Sequence, residues 1–257
     1  MLLSVKCLAF FVFLLGLVVG SFLNVCIYRI PRKESIIFPG SHCPSCQQKL
    51  QARDLIPLFS YLFLRGKCRF CGEKISLRYP LIELSNALGW LGILALGGWE
   101  ITSRNIAGGF LFSVFLVITM IDLKHLLIPN VLVACLLVSG LIYQFFWGEL
   151  KIMELVMGII IGFGVPALIA FFSKGGMGGG DIKLCAAMGA WLGYPAILYA
   201  MFLGALVAAI VSIFLLLFKL KTRKDPIPFG PFLVLGFLAV FFFQEEILAW
   251  YFSLIEP

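Results

Sequence analysis

The chain has 257 residues, 61% of them hydrophobic and 13% charged, with a mean hydropathy of +1.05; this excludes a soluble globular class and reads as an all-α polytopic membrane protein. Histidine-based catalysis has little to draw on, because the only histidines are His42 and His125. The net charge of +7 is local: between Arg29 and Arg78, ten Lys/Arg oppose Glu34, Asp54 and Glu73, and since this stretch lies between two apolar spans it reads as a topology signal and not as a nucleic-acid surface.

The first apolar stretch, Cys7 to Ile27, is long enough to span a bilayer. A secretory signal peptide carries its positive charge before the apolar core. Here Lys6 alone precedes it, while Arg29, Arg32 and Lys33 follow. The expectation is an uncleaved first transmembrane helix, 1–28, with its N-terminus outside.

The segment 29–79 follows as a basic loop with two C-x-x-C pairs, Cys43-Pro44-Ser45-Cys46 and Cys68-Arg69-Phe70-Cys71, separated by 21 residues. Each pair can present two thiolates to one tetrahedral ion, and a glycine such as Gly72 lets the chain turn tightly beneath the sulfurs. A loop of 51 residues has little core of its own, so metal ligation would supply much of its folding energy. Disulfides or redox dithiols are the plainer alternatives. A reducing cytosol disfavours the first, and a redox pair needs no second copy. The expected module is a structural zinc site made by Cys43, Cys46, Cys68 and Cys71. Cys7, Cys26, Cys135 and Cys185 lie in apolar spans and read as small packing residues.

Apolar runs then predict about eight spanning segments: 7–27, 80–97, 106–121, 128–147, 153–172, 182–193, 195–218 and 228–250, the sixth being short. With the N-terminus outside, the inside loops hold the 29–79 segment, then Lys124 and His125, then Lys174 and Lys183, then Lys219, Lys221, Arg223 and Lys224. The outside loops hold Arg104 and Lys151. Positive-inside counting therefore puts Asp122 and Asp181 on one face, the cytoplasmic one.

Both aspartates sit at the edge of an apolar run, where an ionised carboxylate is costly without a partner or water. Taken alone, Asp122 could be a helix-end charge paired with Lys124. Asp181 could be a plain N-cap. It follows Gly175-Gly176-Met177-Gly178-Gly179-Gly180, however, and five glycines in six positions make a poor helix but a chain that another backbone can approach closely. Two carboxylates able to share a proton are the minimal equipment for hydrolysing a peptide with an activated water. Asn24 and Glu83 are further polar residues inside spans. Helix–helix hydrogen bonding and the lining of a wet cavity both remain open readings for them.

These residues resemble the type IV prepilin peptidase (prepilin leader peptidase/N-methyltransferase) family over nearly the whole chain and in order. The match comprises Gly20-Ser21-Phe22-Leu23-Asn24-Val25 with Arg29 and Pro31, the four cysteines, Arg78-Tyr79-Pro80 with Glu83, Asp122 with Ile128-Pro129, and Gly178-Gly179-Gly180-Asp181. The last piece fits the G-x-G-D signature, with Gly178 and Gly180 as its glycines, shared with presenilin-like intramembrane aspartyl proteases. The resemblance implies that Asp122 and Asp181 are the catalytic pair of a transmembrane aspartyl peptidase core, 80–257, behind a four-cysteine zinc-binding domain, 29–79. It implies as substrate the basic leader of a type IV prepilin or pseudopilin, cut after a glycine on the cytoplasmic side of the inner membrane. It also implies methylation of the freed N-terminal residue, usually phenylalanine, with S-adenosylmethionine as donor. No separate glycine-rich methyltransferase signature is present, so the site for that cofactor stays unassigned. A peptidase without methylation is the nearest alternative reading. A transporter using the two aspartates for ions or protons is a more distant one, and it does not account for the cysteine module.

Overall fold

A backbone that crosses lipid must satisfy its own N–H and C=O groups, and here every long apolar run does so as an α-helix. The computed structural model describes residues 2–174, 176–222 and 225–255; Gly175 of the glycine cluster and Arg223 and Lys224 of the charge count lie outside the described residues. The helices are α1 (Leu2–Arg29), α2 (Phe59–Phe63), α3 (Arg78–Leu96), α4 (Ser103–His125), α5 (Asn130–Trp147), α6 (Ile152–Phe172), α7 (Gly179–Leu192), α8 (Ala196–Leu217) and α9 (Gly230–Ile255). Strand-like pairing among the described residues is confined to two isolated bridges, His42–Lys49 and Lys67–Lys74.

Seven of these helices, α1, α3, α4, α5, α6, α8 and α9, are long and apolar enough to cross a membrane. The eighth expected span, 182–193, is α7. With 14 residues it is about 21 Å long, short of a hydrocarbon core of about 30 Å. The chain divides into two compact units, Met1–Val117 and Ile118–Pro257, with the division inside α4.

In the first unit α1 lies against α3 through Gly16 and Gly20, spaced four apart on one helix face. A Cβ on either would come within 2.7 Å of the α3 backbone, at Ala87 and Glu83 respectively, so only glycine permits this approach. A polar relay crosses the same unit. Asn86 donates to the Gly16 carbonyl (2.8 Å), Ser113 donates to Asn86 Oδ1 (2.8 Å), and Trp90 Nε1 donates to Ser113 Oγ (2.9 Å).

The second unit is arranged around α7. Eight of its residues from Leu184 to Leu192 are buried, so this helix is apolar on all sides and is covered by protein instead of lipid. Packing against α6 is backbone to backbone: a Cβ on Gly158 would lie 2.6 Å from the Gly189 carbonyl oxygen, and one on Gly162 2.5 Å from that of Cys185. The far end of α7 is pinned to α5, where Trp191 Nε1 donates to the Leu136 carbonyl (2.8 Å) and Gln144 Nε2 to the Trp191 carbonyl (2.9 Å). A helix covered this way need not span, because protein and not lipid surrounds most of it. Of the intramembrane cysteines, Cys26 and Cys185 are buried as packing residues. Cys7 and Cys135 are exposed, a correction to the expectation that all four are small packing residues.

Candidate functional site

The 29–79 segment folds as two matching turns that bring its four thiols together. The first turn pairs Cys43 N–H with the Gln48 carbonyl (3.0 Å) and Gln47 N–H with the Cys43 carbonyl (2.9 Å). The second repeats this with Cys68 to Glu73 (2.8 Å) and Gly72 to Cys68 (2.9 Å). Gly72, expected to allow a tight turn, has a positive φ of 73°; its counterpart in the first turn is Gln47 at 60°, a left-handed conformation that costs a non-glycine residue about 1 kcal/mol or more. The Sγ atoms of Cys43, Cys46, Cys68 and Cys71 all lie within 4.8 Å of one another, and the Cys43–Cys71 separation is 3.9 Å. A tetrahedral ion with metal–sulfur bonds of about 2.3 Å requires sulfurs about 3.8 Å apart, so the cluster could hold one metal ion. A disulfide needs about 2.05 Å, and all four cysteines are free. Desolvation raises the Cys43 thiol, but the Cys46 and Ser45 backbone N–H groups and the neighbouring thiols outweigh it and bring it down to about 7. Cys71 is pushed up to about 12: the Glu73 N–H favours its thiolate, but desolvation and the Cys46, Cys68 and Cys43 thiols prevail. Four thiols that cannot ionise together without a cation are suited to binding one. An ion pair closes the module: Arg69 Nε lies 2.7 Å from Asp54 Oδ1, whose carboxylate also accepts the Gln51 N–H at 3.1 Å.

The second unit contains both predicted carboxylates. Asp122 lies in the last turn of α4 and is 5% exposed, beside the fully buried Ile121. It does not pair with Lys124, which is exposed; instead its Oδ2 accepts the backbone N–H of Gly230 at 3.0 Å, the first residue of α9. Asp181 is half-buried at the start of α7. Gly178 is the N-cap and Asp181 the third helical residue, which corrects the plain N-cap reading. The Asp181 carboxylate reaches back to the Gly178 N–H and feels the charge of Asp122. In that position it also faces the positive end of the α7 dipole.

Ile128 accounts for how these pieces come together. After α4 the chain turns sharply at Leu126 (φ 51°) and delivers Ile128, 4% exposed, against two glycines. A Cβ on Gly180 would lie 2.9 Å from Ile128 Cβ, and one on Gly230 would lie 3.3 Å from Ile128 Cδ1 and 2.7 Å from Asp122 Oδ2. Gly180 is therefore required by packing. Gly179 has open space where a side chain would be, and Gly178 meets only Asp181. The backbone beside Asp181 is thus bare on one side, which leaves room for a second extended chain.

Asn24, Arg78 and Glu83 form a separate polar cluster where α1 ends and α3 begins. Asn24 Nδ2 donates to the Tyr79 carbonyl at 3.1 Å. Glu83 is 8% exposed; its Oε2 accepts the Leu58 N–H at 2.8 Å, and the Ser21 hydroxyl also bonds to the carboxylate. Among the described residues Asn24 Oδ1 and Arg78 Nε are buried without a hydrogen-bond partner, and Glu83 has no cationic partner. Each unmet polar group of this kind costs about 1–3 kcal/mol. Two contributors escaped the sequence reading. Gly230 is marked there only by Pro231 after it at the start of an apolar run, and Gln47 by its position one residue after a C-x-x-C pair.

No solved structure matches the chain. Residues 14–96 match the family described as Bacterial Peptidase A24 N-terminal domain, and residues 109–213 the Type IV leader peptidase family. The Prepilin leader peptidase/N-methyltransferase of Aeromonas salmonicida (strain A449) is 35% identical over 95% of this chain and 94% of its own length. The protein of the same name from Pseudomonas aeruginosa is 35% identical over 88% of each chain, and that from Bacillus subtilis (strain 168) 33% identical over 93% of this chain and 96% of its own. Matches of this extent, spread over both units and over the carboxylate pair and the cysteine module alike, make the chain a member of the type IV leader peptidase family.

Proposed function

We propose that the chain is a multi-pass inner-membrane enzyme that removes the leader of type IV prepilins or pseudopilins on the cytoplasmic side, with Asp122 and Asp181 as the catalytic pair, and methylates the N-terminus it frees. The observation that carries this reading is the arrangement of the pair: a buried Asp122 anchored by the Gly230 N–H, and an Asp181 beside bare glycine backbone, joined through Ile128, which packs against both Gly180 and Gly230. Two interacting carboxylates disfavour double ionisation, so together they hold one proton. The ionised member takes a proton from water as the water oxygen attacks the scissile carbonyl carbon. The protonated member donates to the carbonyl oxygen, and return of these protons lets the C–N bond break and the amine leave. The open face at Gly178 and Gly179 lets an extended leader backbone approach Asp181.

Zinc fits the cysteine module by ligand type and by sulfur spacing. Cys43, Cys46, Cys68 and Cys71 would hold it, and its role there is to fold a segment with little core. S-adenosylmethionine, when bound, supplies a sulfonium-held methyl group to a neutral amine nitrogen. The basic inside loops favour a cytoplasmic catalytic face.

The test is incubation with a prepilin, read by mass. Asp122→Asn and Asp181→Asn should each lower cleavage at least about 100-fold while the protein still inserts. Inverted vesicles should cleave added prepilin without permeabilisation, and right-side-out vesicles only after it. Substantial cleavage by either variant would overturn the aspartyl assignment. Metal analysis of the purified protein should give one zinc, lost on Cys43→Ser with Cys68→Ser; a metal-free protein with full cleavage and methylation would remove zinc from the reading.

A further inference from the structure

The polar cluster at the crossing of α1 and α3 has no part in peptide cleavage as derived above, yet it is the least satisfied place among the described residues. It offers two unmet polar atoms and a buried carboxylate without a cation, on residues whose backbones adjoin. Glu83 is a buried carboxylate whose bonds come from neutral donors, the Leu58 N–H and the Ser21 hydroxyl, and which lacks a cation. Asn24 is 3% exposed, and its Oδ1 is an acceptor without a donor. Arg78 Nε is a donor without an acceptor. The residues are neighbours: Asn24 is bonded to the Tyr79 carbonyl, next to Arg78, and Gly20 lies against the Glu83 backbone one helical turn before Asn24. Leu58, which caps Glu83, has a positive φ of 61°, so the loop is held in a sharp turn over the carboxylate.

The missing partners define a ligand: one cationic group with N–H donors for Glu83 and Asn24, and one anionic acceptor for Arg78. An α-amino acid zwitterion has both. The proposed methyl donor ends in such a zwitterion and carries a further positive charge on its sulfonium. The cluster also lies at the ends of α1 and α3 that the cysteine module joins, the side from which a water-soluble donor would arrive. We propose that Asn24, Arg78 and Glu83 bind the amino-acid end of S-adenosylmethionine, which places these donor-binding residues in the first unit. This rests on the methylation part of the reading above.

The experiment is equilibrium dialysis of labelled S-adenosylmethionine against the full-length protein in detergent, with methylthioadenosine, which lacks the amino-acid end, as a parallel probe. Glu83→Gln is the first variant, because a glutamine oxygen still accepts the Leu58 N–H and preserves the local fold. It should weaken donor binding about tenfold or more, about 1.4 kcal/mol, and Asn24→Ala and Arg78→Gln should do likewise. Methylthioadenosine binding and the melting midpoint should not move. Unchanged donor binding by all three variants would overturn the proposal. Equal loss of both probes with a lowered midpoint would also overturn it, by showing a structural role. Normal donor binding with a raised KM for cleaved pilin would assign the cluster to the pilin's freed ammonium instead, and that too overturns it. If wild type neither binds the donor nor methylates, the methylation reading fails together with the proposal. If wild type does both and the variants still bind, only the proposal fails.

Discussion

Gly230 shows how much a single backbone group can decide. Its N–H is the donor that holds the Asp122 carboxylate, at 3.0 Å, and a Cβ in its place would press to within 2.7 Å of the same oxygen. Gly230→Ala should therefore displace the carboxylate and lower kcat for leader cleavage about tenfold or more, since a misplacement of about 1 Å can cost a positioned group about 100-fold; the check is kcat against KM, with KM changing less. Asp54 makes a prediction about pH. Burial raises its carboxyl, but the Arg69 hydrogen bond and charge and the Gln51 N–H prevail and hold it below 3.8. A depressed carboxyl contributes stability that is fully present above its ordinary value and is lost as pH falls through the lower folded value. Wild type should melt higher than Asp54→Asn at pH 6, and the gap should close below about pH 3.8; a gap independent of pH would show that the charge is irrelevant. The Gly230 donor is a main-chain group that no side-chain motif announces, which is why the sequence pointed to Asp122 but not to its anchor.

Among the elements, α7 was the segment least readable as a span and is the one that does most to place the site. Its 14 residues fall short of a bilayer crossing, and its central position depends on glycine contacts with α6. Gly189→Leu would drive a side chain into the Gly158 backbone and should cost several kcal/mol, in the range of overpacked or cavity-forming core changes. The expected outcome is loss of detergent-stable protein, read by size-exclusion chromatography; normal folding would show that α6 can shift at little cost. The cysteine module was legible for the opposite reason. Two C-x-x-C pairs are local motifs, so their geometry follows from short-range turns. Even so, Gly72 was legible as a tight-turn residue, whereas the equivalent Gln47 was not, because a strained non-glycine residue leaves no compositional mark. Helix ends in the second unit followed the apolar runs closely, the segment 153–172 appearing as Ile152–Phe172 and 195–218 as Ala196–Leu217.

At the scale of the whole molecule, the sequence by itself determined the membrane class, the order of the helices, the four metal-capable cysteines and the two lone carboxylates. Each of these depends on hydropathy over about twenty residues or on a spacing of a few, and such signals survive in one dimension. Tertiary structure alone decided the rest. It put Asp181 at the third position of α7 and not at its cap, took Asp122 away from Lys124 and gave it to Gly230, and assigned Gly180 to packing while leaving Gly179 open. It also revealed the unmet groups of Asn24 and Arg78 beside Glu83. The physical reason is common to all of them. A residue's hydrogen-bond partner across 108 positions, or its lack of one, is fixed by how helices pack, and packing is set by small residues whose contacts lie on other segments of the chain.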